Sequence, residues 1–346
     1  MTDQVLRGAL IGVGNVAIDG HVPGWAGVAG VAIVAATDAD PVRRERFSAA
    51  LPAARWYPSV EALLGAERLD FVDICTPPAT HAPIIETALA SGLHVLCEKP
   101  LVCDPGVLMR LGRRAQALGR TLYTVHNWRY APIVVEIEKL LREGAIGTLR
   151  RCRWETLRTR PAGAGAVSGC DWRVDPSISG GGILIDHGWH ALYLVGGWFD
   201  QAPTRVSARL ETRRHHQWPV EDTATVVLES PLLHAEIFLT WAAARRANRI
   251  VLQGSEGTLR IDDGTLVLER EDDAGRERRR EISPPLSAGS YHPDWFAGVG
   301  QDFVNACAAG DDANLAEAGR CATLIASAQA SSKRSGEWLA VAGDPE

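Results

Sequence analysis

No two of the seven cysteines in this 346-residue chain form a C-x-x-C pair, and their number is odd, which argues against a disulfide framework. Cys75 and Cys97 lie in apolar, strand-like runs and are expected as core residues. No apolar stretch reaches membrane-spanning length. No charged-then-apolar leader precedes the first strand, so a reducing, cytoplasmic setting is expected. A basic surplus is missing too. The formal net charge is -6 with acids and bases interspersed, which argues against a nucleic-acid partner. The densest basic run, Arg276 to Arg280, is surrounded by Glu271, Asp272, Asp273, Glu277 and Glu281 and reads as a solvated hairpin. Internal repeats, disordered tracts and extended linkers are absent.

What is present suits two globular domains: 46% hydrophobic residues over a length too great for one ordinary core. Strands are expected at Leu6 to Ile11, Val31 to Ala36, Phe71 to Cys75, His94 to Cys97 and Leu122 to Val125. Helices are expected from His81 to Ser91, ended by Gly92, and from Pro105 to Leu118, opened by an Asp104 N-cap. Apolar strands alternating with helices predict an α/β Rossmann domain, a doubly wound parallel sheet, over residues 1–126. The pattern changes near Asn127. A helix over Pro132 to Arg142, a long strand from Leu149 to Arg158 and a helix from Ile183 to Val195 are followed by strands at 205–211, 223–229, 234–240, 249–253, 258–261, 265–269 and 278–282. Turns such as Glu256-Gly257 and Asp263-Gly264 predict an α+β domain over 127–346 with a large, mostly antiparallel, open-faced sheet. Two helices, from near Trp295 to Ala309 and from Leu315 to Ser332, close the chain and are expected to pack back on the first domain.

The loop Gly12-Val13-Gly14-Asn15-Val16-Ala17 follows the first strand and enters a helical turn. That context turns a weak G-x-G-x-x-A pattern into a dinucleotide signal. Gly12 permits the tight turn, Gly14 lets backbone approach a pyrophosphate, and Ala17 allows close packing of helix on strand. Free N–H groups at a helix start suit phosphate. Asp38, at the end of the second strand, can accept from both ribose hydroxyls and would repel a 2′-phosphate, favouring NAD over NADP. Arg43 and Arg44 are the counter-signal, since either could face a phosphate.

Thr76-Pro77-Pro78 and Glu98-Lys99-Pro100 both sit at strand C-termini, the edge where open parallel sheets bind ligands. In the second domain, Asp186 and His190 stand i, i+4 and would share a helix face. An acid and an imidazole in one pocket suit a polar anchor and a proton acceptor. A metal held by Asp186, His187 and His190 is the competing reading. His187 points elsewhere on the helix and no fourth ligand is evident, so no metal is expected.

Taken together, these pieces resemble the glucose–fructose oxidoreductase and inositol dehydrogenase family (Gfo/Idh/MocA) over essentially the whole length. The glycine loop and Thr76-Pro77 look like its nucleotide site. Glu98-Lys99-Pro100 matches its E-K-P motif, and Asn127-Trp128-Arg129-Tyr130 is similar to its N-x-R-[FY] entry into the second domain. Trp172-Arg173, Gly180-Gly181-Gly182 and Asp186-His187-Gly188-Trp189-His190 match its W-R…GG…D-x-G-x-H signature. The resemblance implies NAD held by Gly12, Gly14, Asn15, Val16, Ala17, Asp38, Thr76, Pro77, His81, Glu98, Lys99 and Asn127. It implies His190 as acid–base, Lys99 as the cation stabilising a developing alkoxide, and Asp186 as the anchor of a second hydroxyl, on a polyol, sugar or cyclitol substrate. Trp128, Arg129, Trp172, Arg173 and Tyr291 are further substrate-binding candidates. Arg158 and Arg160 are candidates for a substrate carboxylate or phosphate, and Tyr291-His292 for closing the pocket. A homodimer or homotetramer through the second sheet is also implied. Two other functions stay open: a redox-neutral NAD-dependent glycosidase or lyase working through a transient keto-sugar, and a non-catalytic NAD-dependent sensor.

Overall fold

The computed structural model describes residues 5–163, 171–270 and 277–341. Arg276 and the acids Glu271, Asp272 and Asp273 lie outside the described residues. Among these residues, no helix is long and apolar enough to cross a membrane. The chain divides into two compact units. The first comprises the chain up to Asn127, the short stretch at Asp171-Trp172, and Tyr291–Gly319. The second comprises Trp128–Ala162, Arg173–Ser290 and the chain from Arg320 onward.

In the first unit, β1 (Leu6–Ile11), β2 (Val31–Thr37), β3 (Arg55–Tyr57), β4 (Phe71–Ile74), β5 (His94–Cys97) and β6 (Leu122–Thr124) form one parallel sheet in the order β3-β2-β1-β4-β5-β6. β4 is buried throughout, as expected of a parallel strand covered on both faces. Because the strands run the same way, Gly12, Asp38, Thr76 and Glu98 all emerge at one edge. The order reverses between β1 and β4, which is where such sheets open a ligand crevice. Asp104 caps the helix Pro105–Ala117 by accepting from Val107 N–H at 3.0 Å, as its sequence position predicts. The helical region after the glycine loop is shorter than a Rossmann helix usually is: a π turn at Ala17–His21 runs into a single α turn, Val22–Trp25. The helix Pro293–Ala309 packs against both.

The second unit is built on β7 (Leu149–Leu157), β8 (Arg205–Glu211), β9 (Thr223–Ser230), β10 (Leu233–Thr240), β11 (Ala247–Gly254), β12 (Gly257–Asp262), β13 (Thr265–Arg270), β14 (Glu277–Glu281) and β15 (Leu339–Ala340). They form one sheet, β14-β13-β12-β11-β7-β10-β9-β8-β15. Every pairing is antiparallel except β7 with β10. Side chains alternate along the strands: Cys152, Trp154 and Thr156 are buried, and their neighbours Arg151 and Arg153 are exposed. The buried face meets the helix Trp189–Trp198. The open face carries ion pairs such as Arg153–Glu155 (2.9 Å) and Arg260–Glu269 (3.0 Å), whose exposure limits each to about 0–1 kcal/mol. The single helix expected from Ile183 to Val195 is instead a π turn, Leu184–Gly188, followed by the α-helix Trp189–Trp198. The widened i→i+5 turn replaces the simple α-helical face on which Asp186 and His190 were placed.

Candidate functional site

In the first unit, the glycine loop forms a backbone cradle. Gly12 has φ +88°, and a Cβ there would lie 2.7 Å from Thr76 Cγ2 and 2.8 Å from its backbone N. A Cβ on Gly14 would meet Arg43 Nη1 at 2.9 Å. At Gly12 the left-handed backbone and the close approach of Thr76 both call for glycine, and at Gly14 the missing side chain lets Arg43 come up to the backbone. Asp38 braces the cradle from the side: Oδ2 accepts from Val13 N–H at 2.6 Å and Oδ1 from Asp40 N–H at 2.8 Å. Arg43 Nε stands 3.8 Å from the same carboxylate, whereas Arg44 is exposed. Of the sequence's two arginines, Arg43 is the one that faces the loop. The Asn15 amide oxygen is engaged by Arg46 at 2.6 Å, and Arg46 also pairs with Asp19. Ala17 is fully buried, as close packing of the turn requires. These residues fit a dinucleotide: open glycine backbone at the crevice, and a carboxylate at the next strand end.

Beside the cradle, His81 ties two turns together. It is fully buried, with Nε2 2.8 Å from the Thr76 carbonyl and Nδ1 2.9 Å from that of Pro100. It therefore holds the Thr76-Pro77 and Glu98-Lys99-Pro100 segments in register, and burial pushes its pKa down. Lys99 is half-buried, and its N–H donates to its neighbour's Glu98 Oε2 at 3.0 Å. Glu98 Oε1 reaches His21 Nε2 at 3.1 Å, and His21 Nδ1 faces Asp73 at 2.9 Å. Cys75 Sγ lies 3.1 Å from the same nitrogen. His21, Asp73 and Cys75 thus bring three potential ligand atoms within 4.8 Å of one another, a grouping no motif announced. Tyr291 is half-buried in this unit beside Gly20, and His292 stacks on Trp295 with ring centroids 3.5 Å apart.

In the second unit, the π turn that carries Asp186 is fixed by Glu221. Its carboxylate accepts from Gly182 N–H at 2.9 Å and Leu184 N–H at 3.1 Å, and its carbonyl accepts from Ile183 N–H at 3.2 Å. A Cβ on Gly182 would fall 1.9 Å from that carbonyl oxygen, which explains the glycine. Burial raises the Glu221 pKa despite these donors. Asp186 has Arg173 Nε at 4.0 Å and His187 Nδ1 at 3.2 Å. His187 therefore turns toward Asp186, not away from it as expected. His190 lies flat against Trp128, with centroids 4.3 Å apart and planes 5° from parallel. Trp154 backs Trp128 in turn. The Tyr193 hydroxyl accepts from Trp128 N–H at 2.9 Å and stands 3.4 Å from His190 Nδ1.

The remaining candidates divide. Arg129 sits 6.0 Å over the Tyr193 ring, and Trp172 and Arg173 open a short 3-10 turn. Trp189 is fully buried core. Arg158 is 2% exposed and spends Nη1 on the carbonyls of Leu157 and Ala247. That makes it a strand-end brace, while Arg160 is exposed. Asn127 ends the first unit half-buried. His21, Asp73 and Glu221 escaped the sequence reading. A lone acid inside the apolar run Phe71–Ile74 was the available signal, because a buried carboxylate demands partners.

Residues 6–126 match the profile of the oxidoreductase family with an NAD-binding Rossmann fold, and residues 134–260 match that of the GFO/IDH/MocA C-terminal domain. The chain is 30% identical to a D-apiose dehydrogenase of Paraburkholderia graminis, over 84% of this chain and 76% of that protein. It is 29% identical to a dTDP-3,4-didehydro-2,6-dideoxy-alpha-D-glucose 3-reductase of Streptomyces antibioticus, over 88% and 89%. Among solved structures, a levoglucosan dehydrogenase in complex with NADH and levoglucosan superposes with a TM-score of 0.83 at 20% identity, covering 97% of this chain and 99% of that one. With its glycine cradle, E-K-P turn and two-unit architecture, the chain belongs to the Gfo/Idh/MocA family of NAD-binding oxidoreductases.

Proposed function

We propose that this oxidoreductase transfers hydride between NAD and a secondary hydroxyl or ketone of a sugar, sugar acid or cyclitol. The observation that carries the reading is His190, an imidazole clamped flat on Trp128 beside the Tyr193 hydroxyl and four residues from Asp186. A ring held in one plane is the fixed acid–base that oxidation of an alcohol needs. The names of similar proteins support the substrate class: dehydrogenases and reductases of sugars, and an inositol 2-dehydrogenase of Saccharopolyspora erythraea.

In this reading Gly12, Gly14, Asn15, Val16 and Ala17 hold the pyrophosphate, and Asp38 takes the adenosine ribose. Thr76, Pro77, Glu98 and Asn127 line the nicotinamide end, while His81 keeps the two turns in place. NAD, when bound, supplies the hydride acceptor. His190 takes the hydroxyl proton, Lys99 stabilises the forming alkoxide, and Asp186 accepts from a neighbouring hydroxyl and orients it. Arg173 stands 4.0 Å from the Asp186 carboxylate and helps to place it, and Trp128 backs His190. Trp172, Arg129 and Tyr291 shape the substrate's surroundings. The open face of the nine-stranded sheet pairs subunits, with Phe238, Val227 and Val251 among its charges.

The test is a panel of polyols, inositols and sugar acids offered with NAD while NADH absorbance is followed. Lys99→Ala and His190→Ala should each lower turnover by about 10²–10⁴-fold while sparing NAD affinity. Near-normal rates would remove them from the chemistry. Product formed without NADH would move the assignment to a redox-neutral reaction.

A further inference from the structure

His21 is held on both ring nitrogens and one ring face, and it lies outside the motifs named above. It is 2% exposed and comes from the end of the π turn that follows the glycine loop. Phe296 stacks on one face, with centroids 3.8 Å apart. Its Nδ1 faces Asp73, at 2.9 and 3.1 Å from the two carboxylate oxygens, and its Nε2 faces Glu98 Oε1 at 3.1 Å. Asp73 is fully buried within β4 and is locked by the Trp25 indole N–H at 2.8 Å. The other oxygen of Glu98 accepts from Lys99 N–H at 3.0 Å.

We propose that Asp73 and His21 are positioning residues: they clamp Glu98 from behind and, through it, set the backbone and side-chain direction of Lys99. The inference rests on the reading of Lys99 as the alkoxide-stabilising cation. A carboxylate on each side of one ring calls for two N–H donors, and only the imidazolium has both. The four groups then alternate in sign: Asp73, His21, Glu98, Lys99. Cys75 also faces His21, 3.1 Å from Nδ1, but burial and Asp73 push its thiol pKa well up, so it stays a neutral neighbour. Burial works to lower the His21 pKa, yet the Asp73 carboxylate raises it well above the ordinary histidine value. Burial likewise works to raise Glu98, and His21 and Lys99 outweigh it and hold Glu98 low. The charges that geometry calls for are thus the charges the surroundings favour. The same geometry speaks against a cation among His21, Asp73 and Cys75, because Nδ1 directs a proton, not a lone pair, at Asp73.

The chain has three lysines, Lys99, Lys139 and Lys333, so a protein labelled with ¹³Cε-lysine gives a spectrum that Lys99→Arg assigns at a glance. The experiment records that spectrum against pH for the full chain and for His21→Gln, Asp73→Asn and Glu98→Gln, and measures the Kd of NAD for each. In the unaltered protein the Lys99 signal should move with the His21 titration. In the folded variants it should shift or broaden, and the His21-linked inflection should vanish in His21→Gln, while the signals of Lys139 and Lys333 stay in place. NAD affinity should change less than about threefold in His21→Gln and Asp73→Asn. Glu98→Gln breaks the relay at its more accessible end, so it reports even where His21→Gln does not fold. A Lys99 signal unchanged in a folded variant would overturn the proposal. So would a stoichiometric transition metal in the purified protein that Cys75→Ser removes. None of these readouts depends on turnover, so they stand or fall apart from the assignment of the reaction.

Discussion

Two buried histidines, one in each unit, are held by opposite means. His21 is gripped by carboxylates on both ring nitrogens, whereas His190 lies with one face flat on the Trp128 indole and the Tyr193 phenol edge-on to it. An imidazole between two anions keeps its proton and acts as a fixed cation. An imidazole stacked on an aromatic face is fixed in the plane of its ring. The first arrangement suits a strut and the second suits a proton carrier. Burial alone does not distinguish them, since His21 is 2% and His190 5% exposed.

Substitutions at the two sites should therefore fail in different ways. The largest effect is expected at His190→Ala: turnover down by about 10²–10⁴-fold, with the melting temperature little changed, read by NADH formation and thermal denaturation. Asp73→Ala leaves the His21 charge buried without its main partner and should cost about 3–5 kcal/mol of stability, measured by urea unfolding. An equal loss from Tyr193→Phe would erase the contrast, because that change removes neutral hydroxyl contacts, with Trp128 N–H and His190, and leaves no buried charge unpaired. Gly182→Ala forces a Cβ against the Glu221 carbonyl and should cost about 1–3 kcal/mol. It should also disturb the turn of Asp186, raising KM more than Gly180→Ala does.

The smallest effect is a pH dependence whose sign is set by the two shifts. The folded pKa of His21 is raised, so its stabilisation is full below the unfolded value of about 6.5 and is lost as pH rises through the folded value. The folded pKa of Glu98 is lowered, so its stabilisation is present above about pH 4.3 and is lost as pH falls through its folded value. The stability gap between the unaltered protein and His21→Gln should be widest between those limits and shrink on the alkaline side. A gap that grows with rising pH would show that the ring is neutral.

The comparison also marks how far the sequence carries. The glycine loop, Asp38 and the E-K-P turn were legible because each has a chemistry tied to a strand end. The Asp104 cap and the hairpins at Glu256-Gly257 and Asp263-Gly264 were legible because turn residues act locally. β3 was not foreseen: Arg55–Tyr57 is three residues long and half exposed, so it has no apolar run to announce it. The helix Arg43–Ala50 buries only Phe47 and is likewise mute. Both π turns were hidden because an apolar period cannot tell an i→i+5 turn from an α turn in so short a stretch. The clamp on His21 joins residues 52 and 77 positions apart, and only the fold makes them neighbours. The parallel pairing of β7 with β10 inside an otherwise antiparallel sheet is non-local in the same way.

The central claim, that this chain oxidises or forms a CH–OH group with NAD through His190, is tested most directly by one assay. Purified protein and its His190→Ala variant are given NAD and the polyol, inositol and sugar-acid panel, and NADH is followed together with NAD affinity. The account predicts NADH formation with at least one substrate, abolished in His190→Ala at unchanged NAD affinity. NADH formed equally fast by the variant, or product formed with no NADH at all, would contradict it.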